Sequence, residues 1–129
     1  IISGLAALSQ KYPGRVDTRR MVLAGFSLGA MLAPALFVQL RGRFESLFIV
    51  EGGLEKMTRR RFIELKRAGL RHFAMAMGTH ANHKLAMPFF RQSKVPSSYI
   101  HMKNAGHNYG PDFFTDAPPI LAQMLPSSP

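Results

Sequence analysis

The chain has 129 residues, enough for one domain, and with 47% of them hydrophobic it can fill a packed core, which excludes a disordered polymer. No run reaches the roughly 18 to 20 apolar residues needed to cross a bilayer, because Arg, Lys, Gly or Pro interrupts each one. The lack of cysteine rules out disulfide staples, thiol catalysis and cysteine-ligated zinc. Lys and Arg number 17 against 7 Asp and Glu, so the chain is strongly basic.

The predicted elements alternate along the chain. Ile1, Ile2, Leu5 and Leu8 recur at helical spacing, giving a helix over about residues 1–11 that ends before the turn at Tyr12, Pro13 and Gly14. Arg20 to Phe26 reads as a strand buried on both faces, followed by a helix from about Ser27 to Leu40 that stops near Gly42 and is kinked or weakened at Pro34. Leu47 to Val50 is a second buried strand, closed by Glu51, Gly52 and Gly53. A basic helix over about 54–68 follows, stopped by Gly69, with Leu54, Met57, Phe62 and Leu65 for a core. Its Lys56, Arg59, Arg60, Arg61, Lys66 and Arg67 read as a solvated face. No base-stacking aromatic platform accompanies them, so a nucleic-acid partner is not expected, although basic charge weakly attracts anionic surfaces.

Arg71 to Met77 is a third strand, leading through Gly78 into the polar loop Thr79, His80, Ala81, Asn82. A helix over about 83–92, disturbed at Pro88, precedes a fourth strand, Ser97 to Met102. A loop from Lys103 to Pro111 then opens a last helix over about 112–125, and residues 126–129 form a frayed tail. Regular alternation of strands and helices implies an α/β fold built on a parallel, doubly wound sheet of about four strands.

The chemistry concentrates at Gly25, Phe26, Ser27, Leu28 and Gly29, a G-x-S-x-G pentapeptide between a strand and a helix. A serine hydroxyl is a weak nucleophile unless a strained turn exposes it beside a base and beside donors for an oxyanion. Glycines two positions either side of Ser27 relieve crowding in such a turn, and the helix aims its free amides at the reacting centre, with Leu28 N–H as an oxyanion donor. Imidazole titrates near neutrality and can carry the serine proton. His107, in a glycine-bounded loop past the fourth strand, lies at the edge where open α/β sheets place their sites. His72 and His101 fall within strands and read as packed or surface residues. His80 and His83 form an H-x-x-H pair with no nearby carboxylate, so no metal and no cofactor is expected.

These residues resemble the α/β-hydrolase family over essentially the whole chain, matching only the C-terminal half of that fold as one partial domain, 1–129. Asp17, Thr18, Arg19 and Arg20 before Met21 to Ala30 are similar to the segment entering the elbow strand of esterases related to dienelactone hydrolases and to the phospholipase and carboxylesterase group. Ala105, Gly106 and His107 are similar to the loop that presents the catalytic histidine, and Ser27 and His107 stand 80 positions apart in the family's order. The resemblance implies that the full-length parent is a serine esterase acting on a small-molecule ester or other acyl substrate, with Ser27 as nucleophile and His107 as base; it does not by itself imply activity of this chain alone. A thioesterase, acyltransferase or peptidase on the same scaffold is a further reading.

The acid of the triad is less direct. The family usually places it in the loop matching Gly78 to Lys84, yet no Asp or Glu occurs between Glu64 and Asp112, and Asn82 stands at the expected position. Glu51, past the preceding strand, is the alternative acid; its competing reading is a surface carboxylate paired with Lys56 or an arginine. Asp112 reads as the N-cap of the last helix, and Asp17 and Asp116 as peripheral. If the chain lacks an acid altogether, it reads instead as a non-catalytic binding or interaction protein. By the resemblance, the first strands and the second oxyanion donor would precede Ile1, as would any lid or signal peptide. The Met21 strand is then expected to be an open edge that pairs with a second copy or with the preceding segment. The chain reads as soluble, with the cytoplasm favoured, though the lack of cysteine identifies no compartment.

Overall fold

The computed structural model describes residues 1–18, 21–78, 88, 91, 92 and 94–125. Four parallel strands, β1 (Val22–Phe26), β2 (Ser46–Val50), β3 (His72–Met77) and β4 (Ser97–His101), lie side by side in sequence order. β2 and β3 are nearly continuous apolar runs because they are covered on both faces. Helices α2 (Leu28–Gln39) and α3 (Arg59–Arg67) cover one face, where Leu47, Ile49, Phe73 and Met75 meet Ala33, Phe37, Phe62 and Leu65. Helix α4 (Pro111–Met124) covers the other, its Ala117 and Met124 packing with Phe48, Ala74 and Ile100. The buried Ser46 hydroxyl donates to the Met124 carbonyl and ties the end of α4 to the start of β2. No helix among the described residues is long and apolar enough to cross a membrane.

The layers match the expected α/β architecture, but the sequential strand order winds in one direction only among the described residues, so no double winding is seen. β1 also departs from its reading as a strand buried on both faces. It is the edge of the sheet, paired with β2 alone among the described residues, and α4 lies over β3 and β4, which leaves Ala24 exposed. Helix α1 (Ile2–Lys11) buries no residue; with Met21, Leu40 and Phe44 it lines a groove of about 230 Å³.

The basic segment is two elements instead of one helix. A single 3-10 turn at Leu54–Lys56 is separated from α3 by Thr58, whose side chain accepts the Arg61 amide at 3.2 Å and so starts a new helix. Within α3, Arg60 and Arg61 pair with Glu64 at 3.2 and 2.8 Å, in keeping with a solvated face. Pro34 is buried within α2 and cannot donate to the Ala30 carbonyl. Gly53 lies against that same carbonyl: a Cβ there would stand 2.3 Å from the Ala30 oxygen, and its φ of +78° is in the left-handed region. The 3-10 turn therefore begins in contact with α2, through a backbone that only glycine fits. The helix expected over 83–92 falls mostly outside the described residues, as does the tail 126–129.

Candidate active site

The C-terminal ends of the four strands converge on one corner of the sheet. β1 hands the chain to α2 through Ser27, whose φ of 54° and ψ of −115° are strained for a residue with a Cβ. Two bonds hold that strain. The Ser27 amide donates to the Val50 carbonyl at 2.9 Å, extending the β1–β2 ladder by one residue, and the Ser27 carbonyl accepts the Met31 amide at 3.1 Å in the first turn of α2. Gly25 is what lets strand and helix close on each other, since a Cβ there would lie 2.4 Å from the Gly29 backbone. Gly29 does not share that duty: a Cβ at this position meets nothing within 4 Å, contrary to the symmetric role expected of the two glycines.

The turn presents the Ser27 Oγ to His107, whose Nε2 lies 2.8 Å away. His107 comes from the loop after β4, which is folded by an Ala105 amide bond to the Met102 carbonyl at 3.3 Å and by a left-handed Gly106. The loop is anchored to α4 by the Lys103 amide, which donates to Asp112 Oδ2 at 3.0 Å. Asp112 is thus not the N-cap it was expected to be. Gly110 holds that position, Pro111 starts the helix, and Asp112 sits in its first turn, where a carboxylate also suits the positive end of the helix.

The other face of the imidazole turns to Glu51. This residue directly follows β2, has a φ of 51°, and its amide donates to the Ala76 carbonyl at 3.0 Å. Its side chain is only 11% exposed, with one oxygen accepting the Gly78 amide and the other 3.7 Å from His107 Nδ1. That second separation is an ion-pair distance longer than a hydrogen bond. The Glu51 carboxylate therefore faces the site and not Lys56. Its charge also reaches Tyr99 on β4, whose phenol is held above its ordinary pKa, first by burial and then by the Glu51 carboxylate.

Each strand end thus supplies one part: Ser27 after β1, Glu51 after β2, the Gly78 amide after β3 and His107 after β4. Leu28, the first residue of α2, is exposed at 64%, and its amide has no acceptor within the helix. A cleft of about 250 Å³ opens beside His107, lined by Glu51, Leu54, Glu55, Met77 and Gly78 among others. Next to it, the Phe26 ring packs on His107 and Tyr109, at centroid distances of 5.3 and 4.8 Å.

Of the expected site residues, Ser27, Leu28, Glu51 and His107 are brought together; Asn82, His80 and His83 lie outside the described residues. His72 and His101 sit at the start of β3 and the end of β4, as read. Among the described residues no three His, Asp or Glu side chains are placed to hold a metal ion. Two participants escaped the sequence reading. The Gly78 amide holds the Glu51 carboxylate, and Tyr109 stands two residues beyond His107; a glycine closing the neighbouring strand and the repeated aromatics after residue 108 are the signals that mark them. Searches of family models, characterised proteins and solved structures returned no match to this chain.

Proposed function

We propose that this chain carries the site of a serine acyl hydrolase on an α/β-hydrolase-like sheet, and that it cleaves carboxylic esters through an acyl-enzyme. The observation that carries the reading is the 2.8 Å approach of His107 Nε2 to the hydroxyl of a serine in a strained strand-to-helix turn, with a carboxylate behind the imidazole.

Ser27 Oγ attacks the ester carbonyl as His107 Nε2 takes its proton, and the Leu28 amide donates to the oxygen that gains charge. For Nε2 to be free, the neutral imidazole keeps its proton on Nδ1, the tautomer favoured by the Glu51 carboxylate, which also offsets the imidazolium that forms. The tetrahedral intermediate collapses, the carbon–oxygen bond to the alcohol breaks, and His107 returns the proton to the departing oxygen. Water, deprotonated by the same nitrogen, then attacks the Ser27 ester; the bond from the acyl carbon to Oγ breaks, His107 returns the proton to Oγ, and the carboxylic acid leaves.

A fluorophosphonate probe tests the assignment. It is expected to label the folded chain at Ser27, with labelling and p-nitrophenyl ester hydrolysis both lost in Ser27→Ala. A folded sample that neither labels nor hydrolyses would refute the reading in favour of a binding protein, while turnover that survives Ser27→Ala would move the chemistry elsewhere.

A further inference from the structure

Beyond His107 the site continues as a row of aromatic rings. Tyr109 stacks on Phe26 at 4.8 Å and contacts Phe113 at 4.7 Å, and Phe114 meets Phe113 edge-on at 5.6 Å and Tyr109 at 6.3 Å. Phe26 and Phe113 at its base pack against the core, whereas its outer rings do not. Tyr109 is 40% and Phe114 68% exposed, so the two form a contiguous apolar surface next to the site.

We infer that this row binds the alcohol portion of the ester, and that the substrate class is an ester whose alcohol carries an aromatic ring. The inference rests on the acyl-hydrolase reading above. In that reaction the departing oxygen must reach His107 Nε2 to receive its proton, so the alcohol lies on the His107 side of Ser27, and the Phe26 and Tyr109 rings begin there. The acyl oxygen points instead to the Leu28 amide. An aromatic ring on the alcohol gains stacked or edge contacts on Tyr109 and Phe114.

The test compares kcat/KM for 4-phenylbutyl acetate and ethyl acetate, which differ in the alcohol alone, in the full chain. The expected preference for the phenylbutyl ester falls about two- to tenfold in Phe114→Ala and in Tyr109→Ala, in the range for one lost aromatic contact. Ile63→Ala, an equally apolar exposed position on α3, leaves the ratio where it was. Phe114→Ala is the decisive variant, because its ring is the most exposed of the row and touches neither Ser27 nor His107, with ethyl acetate turnover as the check that the His107 loop is intact. A preference absent from the wild-type chain, or unchanged in Phe114→Ala, overturns the inference while leaving the hydrolase reading intact. So does a Phe114→Ala chain whose sedimentation shifts while the ratio stays constant, since the row would then be covered by a second copy. Failure of Ser27 to label, with neither ester cleaved, removes the hydrolase reading and this inference with it.

Discussion

Glu51→Gln isolates the acid from every other part of the site. The carboxylate answers two demands with two oxygens: one accepts the Gly78 amide and the other faces His107 Nδ1. A glutamine has a single oxygen, so either Gly78 N–H loses its acceptor or the amide NH₂ turns toward His107 and favours the wrong tautomer. The charge term follows from distance. Two unit charges 3.7 Å apart attract by about 1 kcal/mol at the dielectric of water and about 4 kcal/mol at an effective value near 20. The pair spans both regimes, with Glu51 11% and His107 63% exposed, so an intermediate figure of about 2.7 kcal/mol applies, a loss of about 10²-fold in kcat/KM. That falls short of the roughly 10⁴-fold seen where such a pair is fully buried. Steady-state ester hydrolysis and the rate of fluorophosphonate labelling should drop together, with thermal melting as the control for folding. A folded Glu51→Gln chain with unchanged turnover would refute the argument and return Glu51 to the status of a structural carboxylate.

Two further outcomes are expected of the scaffold. Gly53→Ala places a Cβ 2.3 Å from the Ala30 oxygen at a φ of +78°, whereas Gly42→Ala has the same φ and nothing within 4 Å. Both pay roughly 1 to 2 kcal/mol for the left-handed backbone, and Gly53→Ala should lose at least about 2 kcal/mol more to the clash, read as the difference between their denaturant midpoints. Tyr99→Phe addresses pH: the folded phenol titrates above its ordinary 10.0, so its neutral form stabilises the fold, fully below pH 10 and progressively less as pH rises through the folded value. Melting temperatures above pH 10 should therefore fall less steeply in Tyr99→Phe than in the parent chain.

The parts legible in the sequence are those where local and global demands agree. β2 and β3 declare themselves as uninterrupted apolar runs because both their faces are covered, and the Ser27 turn is marked by Gly25, the glycine that close approach requires. The basic segment was misread as one helix because apolar spacing continues across it, while a single Thr58 side-chain bond decides where α3 starts. Asp112 is a good capping residue by type, but the chain enters α4 two residues earlier, with Gly110 as the N-cap, and frees the carboxylate for the Lys103 amide. β1 has the composition of an interior strand, yet it is the expected open edge, paired with β2 alone among the described residues, and because α4 lies over β3 and β4, Ala24 of β1 is left exposed. Ser27 and His107 could be singled out from residue chemistry alone. For Glu51, the sequence left a site carboxylate and a surface carboxylate as equal readings; what it could not show is that β2 and β3 are neighbours, which places Glu51 against Gly78 across 27 positions of sequence.

The contribution of one part from each strand end makes the site a gauge of sheet assembly. Phe26 is level with Val50, and Val50 with Ala76, so the residues that follow them arrive side by side only when every ladder is aligned. A slip of two residues preserves which side chains face the core, yet it carries Glu51 about 6.6 Å along the strand and out of reach of His107. Burial alone tolerates such an error better than reactivity does. During refolding, the pairing of distant parallel strands is slow, and the hydroxyl of Ser27 should become reactive only once the last strand has docked, after secondary structure and compactness have already been gained.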